Sequence, residues 1–257
     1  MFLDERNHPR HDLPRSAGLP QSYVIASTPR TASTALCQLL WSTGVIGAPK
    51  EYLNPTQRRD WGLRRGQQRH RLLVGPERAV LGWVPWTSAG LREHITHVQH
   101  RRSSGGWFGM KIHHHHHARI FSQRRLDDFL GPTAWIYISR TDHVAQAVSW
   151  ARALQTGQWA KGEKVWGRAR YSPRLIRHCL RQIEAGNRYW SAFFRHNDIQ
   201  PLPVTFRQVT EQPGKTCAQV FEHLGVPAPS LPLLTPNGRQ GDALNEHWKQ
   251  RFLTTAM

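Results

Sequence analysis

The sequence predicts an α/β protein built as a three-layer sandwich, with a central parallel sheet between two layers of helices. Short apolar runs of strand length alternate with segments of helical periodicity along the 257 residues. Two of these runs, residues 22–27 and 133–139, are rich in apolar residues on both sides, which is typical of strands covered on both faces. A chain of this length can bury the core that such a fold requires.

The predicted elements follow in order along the chain. Residues 1–20 are polar, contain prolines and lack periodicity, so we expect a flexible lead-in to a single domain at residues 21–257. Strands are expected at 22–27, 107–112, 133–139 and 202–206. Helices are expected at 31–42, 88–102, 142–154, 174–196 and 213–224. The rest of residues 56–106 is basic and irregular and predicts no defined element.

The chain has a large excess of positive charge. There are 35 lysines and arginines against 17 acidic residues, which gives a formal net charge of +18. Such an excess indicates an anionic partner, whether a phosphorylated small molecule, an acidic polymer or nucleic acid. Nothing except net charge favours nucleic acid, so a nucleic-acid-binding module is the less favoured interpretation.

Several features predict a cytoplasmic protein without a membrane span. No apolar run reaches the ~18 residues that a spanning helix needs, and the N-terminal residues lack the apolar core of a signal peptide. The three cysteines are an odd number without a CxxC spacing. This pattern argues against a disulfide scaffold and a zinc site, and it suits a reducing compartment.

The turn after the first strand has the composition of a phosphate site. It holds five hydroxyl groups and one guanidinium group, and it comprises Ser27, Thr28, Pro29, Arg30, Thr31, Ala32, Ser33 and Thr34. A helix N-terminus offers unpaired N–H groups and the positive end of the helix dipole, and an arginine can bind an oxyanion through two hydrogen bonds. The alternative is that Ser and Thr only cap the helix, for which one residue suffices. The GxxxxGK[ST] pattern of a Walker A loop is absent from the sequence.

A second anion-binding group is expected at the carboxyl end of the strand at 133–139. Arg140 follows this strand directly, at the edge where open α/β sheets bind ligands. Ser149 lies about two helical turns into the next helix, within reach of the same anion. The alternative is that Asp142 caps this helix and that Ser149 is a solvated helix residue.

Together, these two elements resemble the cofactor-binding elements of sulfotransferases that use 3′-phosphoadenosine 5′-phosphosulfate (PAPS). The chain more closely resembles the bacterial trehalose sulfotransferase family, in the stretches YVIASTPRTASTALCQLLWSTGVIGAPKEYL, FGMKI, ISRTDHVAQAVSWARALQTGQW and RQGDALNEHWKQRF. The resemblance implies the sulfotransferase fold, which is similar to that of P-loop NTPases. It also implies sulfuryl transfer from PAPS without a metal, 3′-phosphoadenosine 5′-phosphate (PAP) as the product, and a homodimer.

The resemblance also implies roles for individual residues in donor binding. The turn at 27–34 holds the 5′-phosphosulfate, and Arg140 and Ser149 hold the 3′-phosphate. Arg239 and Gln240, in a glycine-flanked loop, close over the 3′-phosphate, unless this is an ordinary basic loop. The chain departs from the pattern at residues 205–210, which lack a common acidic stretch, and it matches weakly at residues 61–106.

Sulfuryl transfer to a hydroxyl requires a base and groups that stabilise the leaving oxygen. Under the resemblance, Glu51 aligns with the catalytic glutamate of the trehalose enzymes, and Arg30 stabilises the phosphosulfate and its leaving oxygen. Lys111 is a further candidate that points into the cleft. The alternative for Glu51 is a surface carboxylate paired with Lys50 or a nearby arginine.

The run His113–His117 leaves incidental lining, acceptor contact and catalytic base as open alternatives. The imidazole pKa lies near neutrality, so any of these side chains could serve as a base. On a strand, alternate histidines would face opposite sides of the sheet, so that only two or three of them could share a site.

The acceptor is predicted to be a small molecule or a glycolipid with a carbohydrate hydroxyl. Aromatic faces can stack on sugar rings and amides can bind hydroxyls, although tryptophans at helical spacing are also common in cores. The candidate contacts are Glu51, Lys111, His113, Trp150, Gln155 and Trp159. Three other functions stay open: transfer to a phenolic or lipid hydroxyl, nucleotide binding without catalysis, and a kinase-like reaction, for which a Walker lysine and magnesium ligands are not found.

Overall fold

The computed structural model describes residues 4–14, 18–66, 86–159, 165–229 and 242–255. Among these residues, the strands are Gln21–Ser27 (β1), Trp107–His113 (β2), Thr133–Ser139 (β3) and Leu202–Thr205 (β4). The α-helices are Ser33–Ser42 (α1), Pro55–Arg64 (α2), Ser88–Arg102 (α3), His114–Ile120 (α4), Asp127–Leu130 (α5), His143–Thr156 (α6), Pro173–His196 (α7), Phe206–Glu211 (α8), Pro213–His223 (α9) and Ala243–Thr255 (α10).

The described strands form one parallel sheet in the order β2-β1-β3-β4. The register of β1 sets Ser27 opposite His113 of β2 and Ile138 of β3. The chain therefore places β2 on one side of β1 and β3 on the other, so the direction of winding reverses at β1. The carboxyl ends of these parallel strands lie at one edge of the sheet, where ligands bind in folds of this kind.

Helices cover both faces of the sheet, as the burial of its strands requires. Val24 and Ala26 of β1 face a core to which α3 and α7 contribute. Tyr23 and Ile25 face the opposite core, which contains residues of α1 and α9. A third cluster joins α6, α7 and α10. The predicted three-layer α/β fold with a central parallel sheet is confirmed.

Most of the predicted elements occur at the expected positions. The strand at 133–139 and the helix at 88–102 have the predicted bounds. The first helix begins at Ser33 rather than at residue 31, because Arg30 and Ala32 adopt left-handed backbone conformations that an α-helix cannot include.

Other elements differ from the prediction for local reasons. Strand β4 ends at Thr205 rather than at residue 206, because a capping box between Thr205 and Gln208 begins α8 there. Helices α2, α4, α5, α8 and α10 were not predicted. Arginines and other polar residues make up most of α2, and histidines make up most of α4, so neither helix shows an apolar stripe in the sequence.

The structure differs from the expected flexible lead-in over residues 4–14. Two short 3₁₀-helices, Glu5–Asn7 and Pro9–His11, lie against the rest of the protein. The Asn7 amide is fully buried and donates to Asp60 of α2 at 2.9 Å. Polar contacts of this kind compensate for the lack of apolar residues in the segment. That residues 21–257 form a single domain stays a prediction.

Helix α7 is amphipathic and runs for 24 residues. Its buried residues recur at spacings of three and four, from Ile176 through Cys179 and Ile183 to Phe194, and its other side is exposed and basic.

Among the described residues, no helix combines the length and the apolar character that crossing a bilayer requires.

Candidate active site

Segments that follow neighbouring strands meet at the carboxyl edge of the sheet, where the winding reverses. The β1–α1 loop, residues 28–32, follows the central strand, His113 ends β2, and Arg140 follows β3. Crevices at such a point bind ligands in open α/β sheets. The predicted donor-binding residues of the described chain therefore lie at the position where a ligand site is expected.

The β1–α1 loop has an unusual backbone. Arg30 and Ala32 have φ angles of 68° and 66°, in the left-handed region that residues other than glycine rarely adopt. The Thr31 hydroxyl donates to the Thr28 carbonyl at 3.1 Å. The side-chain amide of Gln146 donates to the Thr28 hydroxyl at 2.9 Å and to the carbonyl of residue 29 at 2.7 Å. These bonds hold a strained loop shape, and such strain clusters at ligand sites.

Helix α1 begins at the end of this loop without a side-chain cap. Ala32 stands at the N-cap position and makes no side-chain hydrogen bond to the first turn. The beginning of the helix is nevertheless inside the protein, since Thr31 is fully buried and Ser33 is 3% exposed. The N–H groups of a buried helix end need an acceptor, and the helix dipole favours an anion there. The loop therefore fits the phosphosulfate group that the sequence predicts.

Arg30, Arg140 and Ser149 come together beside the loop. Nε of Arg30 donates to Oγ of Ser149 at 3.0 Å. Nη1 of Arg140 donates to the Arg30 carbonyl at 3.4 Å, and the Arg140 guanidinium lies 4.2 Å from the ring centroid of Phe206. The sequence predicts an anion shared by Arg140 and Ser149, and in the structure Arg30 contacts both residues. Two guanidinium groups and a hydroxyl can therefore bind an anion at this position.

Glu51 lies among basic and polar side chains at the same edge of the sheet. Its Oε2 is 2.9 Å from Nζ of Lys111 and 3.5 Å from Nε2 of His113. Its Oε1 is 3.0 Å from Nδ1 of His116. The Lys111 ammonium also donates to the Thr34 hydroxyl at 3.3 Å. Lys111 therefore connects Glu51 to the first turn of α1.

The alternative in which Glu51 pairs with Lys50 does not occur in the structure. Lys50 forms a bridge with Met110 beside β2, which brings the next residue to the strand end. Its side chain turns away from Glu51, and its ammonium lies 2.9 Å from Oδ2 of Asp4 and donates to Asn7 at 2.7 Å.

The surroundings of Glu51 keep its carboxyl ionised. Burial by itself would raise the pKa of Glu51, but His113, Lys111 and His116 more than offset burial and hold this pKa well below its usual range. Burial lowers the pKa of His113 to about 3, so at neutral pH this imidazole is neutral and interacts with the carboxylate as a polar N–H group rather than as a charge. The Ser27 hydroxyl lies 2.9 Å from Nδ1 of His113. A proton on Nε2 of His113 therefore lets the ring accept from Ser27 and face the carboxylate with its N–H group.

The run His113–His117 divides between two sides of a helix. The expected alternation along a strand is wrong, because β2 ends at His113 and α4 begins at the next residue. His113 and His116, three residues apart, contact Glu51. His117 is buried against α7, where its Nδ1 lies 2.6 Å from the Tyr189 hydroxyl. Within the described ranges, no group of three or more His, Cys, Asp or Glu side chains is arranged to hold a metal ion.

The acceptor residues predicted in and after α6 do not form one cluster. Trp150 packs against the core shared by α6, α7 and α10. The side-chain oxygen of Gln155 accepts a hydrogen bond from the Arg170 backbone at 2.8 Å. Trp159 is 47% exposed, and its carbonyl accepts a hydrogen bond from the Arg30 guanidinium. Trp150 and Gln155 thus contact neighbouring parts of the protein, Trp159 contacts the β1–α1 loop, and the acceptor contacts of all three stay a prediction.

Two further residues support the loop and were not predicted. Nε1 of Trp190 in α7 donates to the Ser27 carbonyl at 2.9 Å. Gly186 lies against the loop so closely that an added Cβ would be 2.7 Å from Cγ2 of Thr28. Both residues lie on the buried side of a predicted helix, and only the small size of Gly186 within that apolar stripe could have indicated a close approach. Arg239 and Gln240 lie outside the described residues.

A parallel sheet with a helix N-terminus and arginines at neighbouring strand ends is typical of enzymes that bind phosphorylated nucleotides. The family model described as Stf0 sulphotransferase matches residues 22–255 of this chain. The chain belongs to this family, and it is therefore an enzyme of the sulfotransferase class.

Two curated relatives agree with this assignment. The chain is 27% identical over 258 residues to a trehalose 2-sulfotransferase of Mycolicibacterium smegmatis, covering 91% of this chain and 94% of the relative. It is 26% identical over 265 residues to a trehalose 2-sulfotransferase of Mycobacterium tuberculosis, covering 91% of this chain and 95% of the relative. The resemblance to trehalose sulfotransferases is confirmed.

Proposed function

We propose that this sulfotransferase moves a sulfuryl group from PAPS to a hydroxyl of a carbohydrate or glycolipid acceptor by in-line displacement. PAPS supplies a sulfuryl group on an activated phosphate, so that the acceptor oxygen bonds to sulfur while the bond from sulfur to the phosphate oxygen breaks. The buried and uncapped N-terminus of α1 beside Arg30 carries the proposal, because it offers an anion site at the expected edge of the sheet.

In this proposal, two different groups of residues bind the two anionic ends of PAPS. The N–H groups at the start of α1, with the hydroxyls of Ser33 and Thr34, hold the 5′-phosphosulfate. Arg140 and Ser149 hold the 3′-phosphate. Arg30 extends from the loop to Ser149 and stabilises the negative charge that develops on the leaving oxygen. Arg239 and Gln240 complete the 3′-phosphate site in this proposal.

Glu51 accepts the proton of the acceptor hydroxyl. Its carboxyl is ionised at neutral pH and lies beside the first turn of α1 through Lys111. A carboxylate with a low pKa is a weak base, so the proton moves late, as the forming bond to sulfur makes the hydroxyl more acidic. His113 is the alternative base, and in that role its Nδ1 must be released by the Ser27 hydroxyl or its Nε2, 3.5 Å from Glu51, must be the unprotonated nitrogen.

A small carbohydrate or glycolipid acceptor is supported by the two relatives, which are named as trehalose 2-sulfotransferases. Trp159 contacts Arg30 and has an exposed ring on which a sugar can stack. Lys111 and His113 are the other acceptor contacts in this proposal. Free, buried Cys37, Cys179 and Cys217 are compatible with the cytoplasmic location that the composition predicts.

The transfer can be tested with PAPS and a panel of sugars, glycolipids and phenols, with mass gain of the acceptor as the measurement. Glu51→Gln should lower kcat at least about 100-fold and leave PAP affinity nearly unchanged, because a general base acts on the acceptor. Arg30→Ala should weaken PAP binding at least about tenfold, because charge-assisted hydrogen bonds are lost. His113→Asn tests the alternative base: if His113 is the base, this variant rather than Glu51→Gln should lose kcat while its affinity for PAP stays nearly unchanged.

Glu211→Gln is the matched control, since this exposed carboxylate of α8 pairs with Arg207 and with no residue of the proposed site. Full turnover in both Glu51→Gln and Arg30→Ala would remove the proposed mechanism. PAP should raise the melting temperature, and ATP with Mg²⁺ should not. Stabilisation by PAP without transfer to any member of the panel would favour a nucleotide-binding protein that has lost its activity.

A further inference from the structure

The exposed side of α7 carries a straight row of arginines. Arg174, Arg181, Arg188 and Arg195, here called the arginine row, are exposed and follow one another at seven-residue intervals. Seven residues are close to two helical turns, so these side chains share one face of the helix, with a drift of about 20° from each arginine to the next. With a rise of 1.5 Å per residue, the row is about 32 Å long. The buried residues of α7 lie on the opposite side.

Only a small part of the charge of the arginine row is balanced by carboxylates of α7. Arg177 is a fifth exposed arginine of the helix, and Glu184 is its one acidic residue. Arg64, Arg152 and Arg207 each pair with a carboxylate, whereas no member of the row forms an ion pair within the part of the chain that the structure describes. Part of the net charge of +18 is therefore concentrated in one uncompensated line.

An exposed segment with apolar and basic residues precedes α7. Val165 and Trp166 are 52% and 70% exposed, and Arg168 and Arg170 are exposed as well. The Arg170 backbone donates to Gln155 near the end of α6, which fixes the segment beside the first turns of α7. The segment 165–170 thus places basic and apolar side chains just before the arginine row in the chain.

We propose that the arginine row and residues 165–170 dock the protein on an anionic phospholipid membrane surface. Guanidinium groups along a straight helix can contact the phosphates of a flat lipid surface at the same time, and each basic residue adds to the attraction. Tryptophan beside arginine is typical of segments that lie in the membrane interface. The docking surface holds one exposed aromatic ring, that of Trp166, whereas sites for single-stranded nucleic acid stack successive bases on several rings. Docking of a second copy of this chain on the same surface would bring two rows of arginines together, and their like charges would repel.

The connection between α6 and α7 begins at the candidate active site. Trp159, in the same connection between α6 and α7, accepts a hydrogen bond from Arg30 of the β1–α1 loop. Docking itself does not depend on the proposed transfer, because the arginine row does not belong to the donor or acceptor site.

Co-sedimentation with vesicles tests the proposal on the full chain. Vesicles contain phosphatidylcholine alone or phosphatidylcholine with phosphatidylserine, at about 0.15 M salt, where long-range attraction is screened. The chain should bind only the anionic vesicles. Arg→Gln at all four positions of the row should lower the partition coefficient at least about tenfold, since each charge near the surface contributes separately. Arg→Lys at the same positions should retain binding.

The matched control removes the same charge from exposed sites elsewhere, through R10Q, R125Q, R207Q and K215Q. It should lower the partition coefficient less than about threefold, since these residues lie outside the docking surface. Equal losses in both variants, or no binding by the unmodified chain, would overturn the proposal. Loss of RNA or duplex DNA binding with unchanged vesicle binding would overturn it in favour of nucleic acid. An unchanged shift of melting temperature with PAP shows that the row variant is folded and separates this test from the proposed transfer.

Discussion

Lys111 places its ammonium nitrogen 2.9 Å from a carboxylate oxygen of Glu51 and donates with the same group to the Thr34 hydroxyl. The two residues come from different parts of the sheet edge, since Lys111 lies in β2 and Glu51 follows the residue that pairs with Met110. The contact joins the proposed base to the proposed donor site. Lys111, together with His113 and His116, therefore holds the pKa of Glu51 low, and it also links the carboxylate to the first turn of α1.

Lys111→Met should change the pH dependence of turnover. Loss of the ammonium removes one of the groups that hold the pKa of Glu51 low, so this pKa rises and the carboxylate is protonated at higher pH. The acidic limb of kcat/KM should move up by about one pH unit or more, and kcat at neutral pH should fall at least about tenfold. Lys215→Met, at an exposed lysine of α9, should leave the profile unchanged. An unmoved acidic limb in Lys111→Met would contradict the role of Glu51.

Gly186→Ala should loosen the contact between α7 and the β1–α1 loop. An added Cβ would lie 2.5 Å from Nδ1 of His114 and 2.7 Å from Cγ2 of Thr28, so α7 or the loop must move. We expect a loss of about 1–3 kcal/mol in the free energy of unfolding, together with weaker PAP binding. Calorimetry and titration with PAP measure the two effects.

Gly214→Ala is the control for that substitution, since Gly214 is an exposed helical glycine of α9. Alanine there should be neutral or stabilising, because alanine has the higher helix propensity. If Gly186→Ala behaved like Gly214→Ala, the close packing of α7 on the loop would not matter for the site.

The sheet and its ligand edge could be predicted because they depend on local patterns. Residues 133–139 form a buried apolar run, and the hydroxyl-rich turn before Ser33 has a composition that indicates an anion site. Arg140 could be predicted as an anion-binding residue because it directly follows a strand, at the edge where such sheets bind ligands. The order of the strands then brings these features together, since β1 pairs with both β2 and β3.

The contacts around the loop and Glu51 could not be predicted, because they join residues distant in sequence. Gln146 and Trp190 reach the loop from α6 and α7, and each looks like an ordinary helix residue in the sequence. The histidine run has no internal pattern, so nothing in it indicates that the strand ends at His113. The buried amide of Asn7 has no apolar periodicity around it, which is why the N-terminal contacts were missed.

Buried histidines should make the fold sensitive to acid. Burial lowers the pKa of His94 to about 3 and that of His117 to about 4, whereas an unfolded chain titrates near 6.5. The unfolded chain therefore binds more protons between these values, so the stability from these residues is complete above about pH 6.5 and decreases as the pH falls toward about 4. The melting temperature should fall by about 5–10 °C between pH 7 and pH 5.

His117→Phe tests the cause of this acid sensitivity, since the residue lies among aromatic rings of α7 and β3. The variant removes one buried titrating group, so its melting temperature should fall less steeply below pH 6.5. Calorimetric scans at several pH values provide the comparison. Parallel curves for the two proteins would show that His117 does not contribute.

Asp4→Ala should destabilise the protein, because Asp4 is the partner of a buried lysine. The Lys50 ammonium lies 2.9 Å from Asp4, burial lowers the pKa of Lys50 to about 7, and Asp4 opposes this effect. Without Asp4 the pKa of Lys50 falls further and the amine is buried in its neutral form, and Arg6 also loses this partner, at a cost of about 1–3 kcal/mol in the free energy of unfolding. Glu5→Ala removes a carboxylate from the exposed pair with Arg10 and should cost less than about 0.5 kcal/mol. Denaturant unfolding distinguishes the two, and equal, near-neutral effects would mean that residues 4–14 do not contribute to the folded unit.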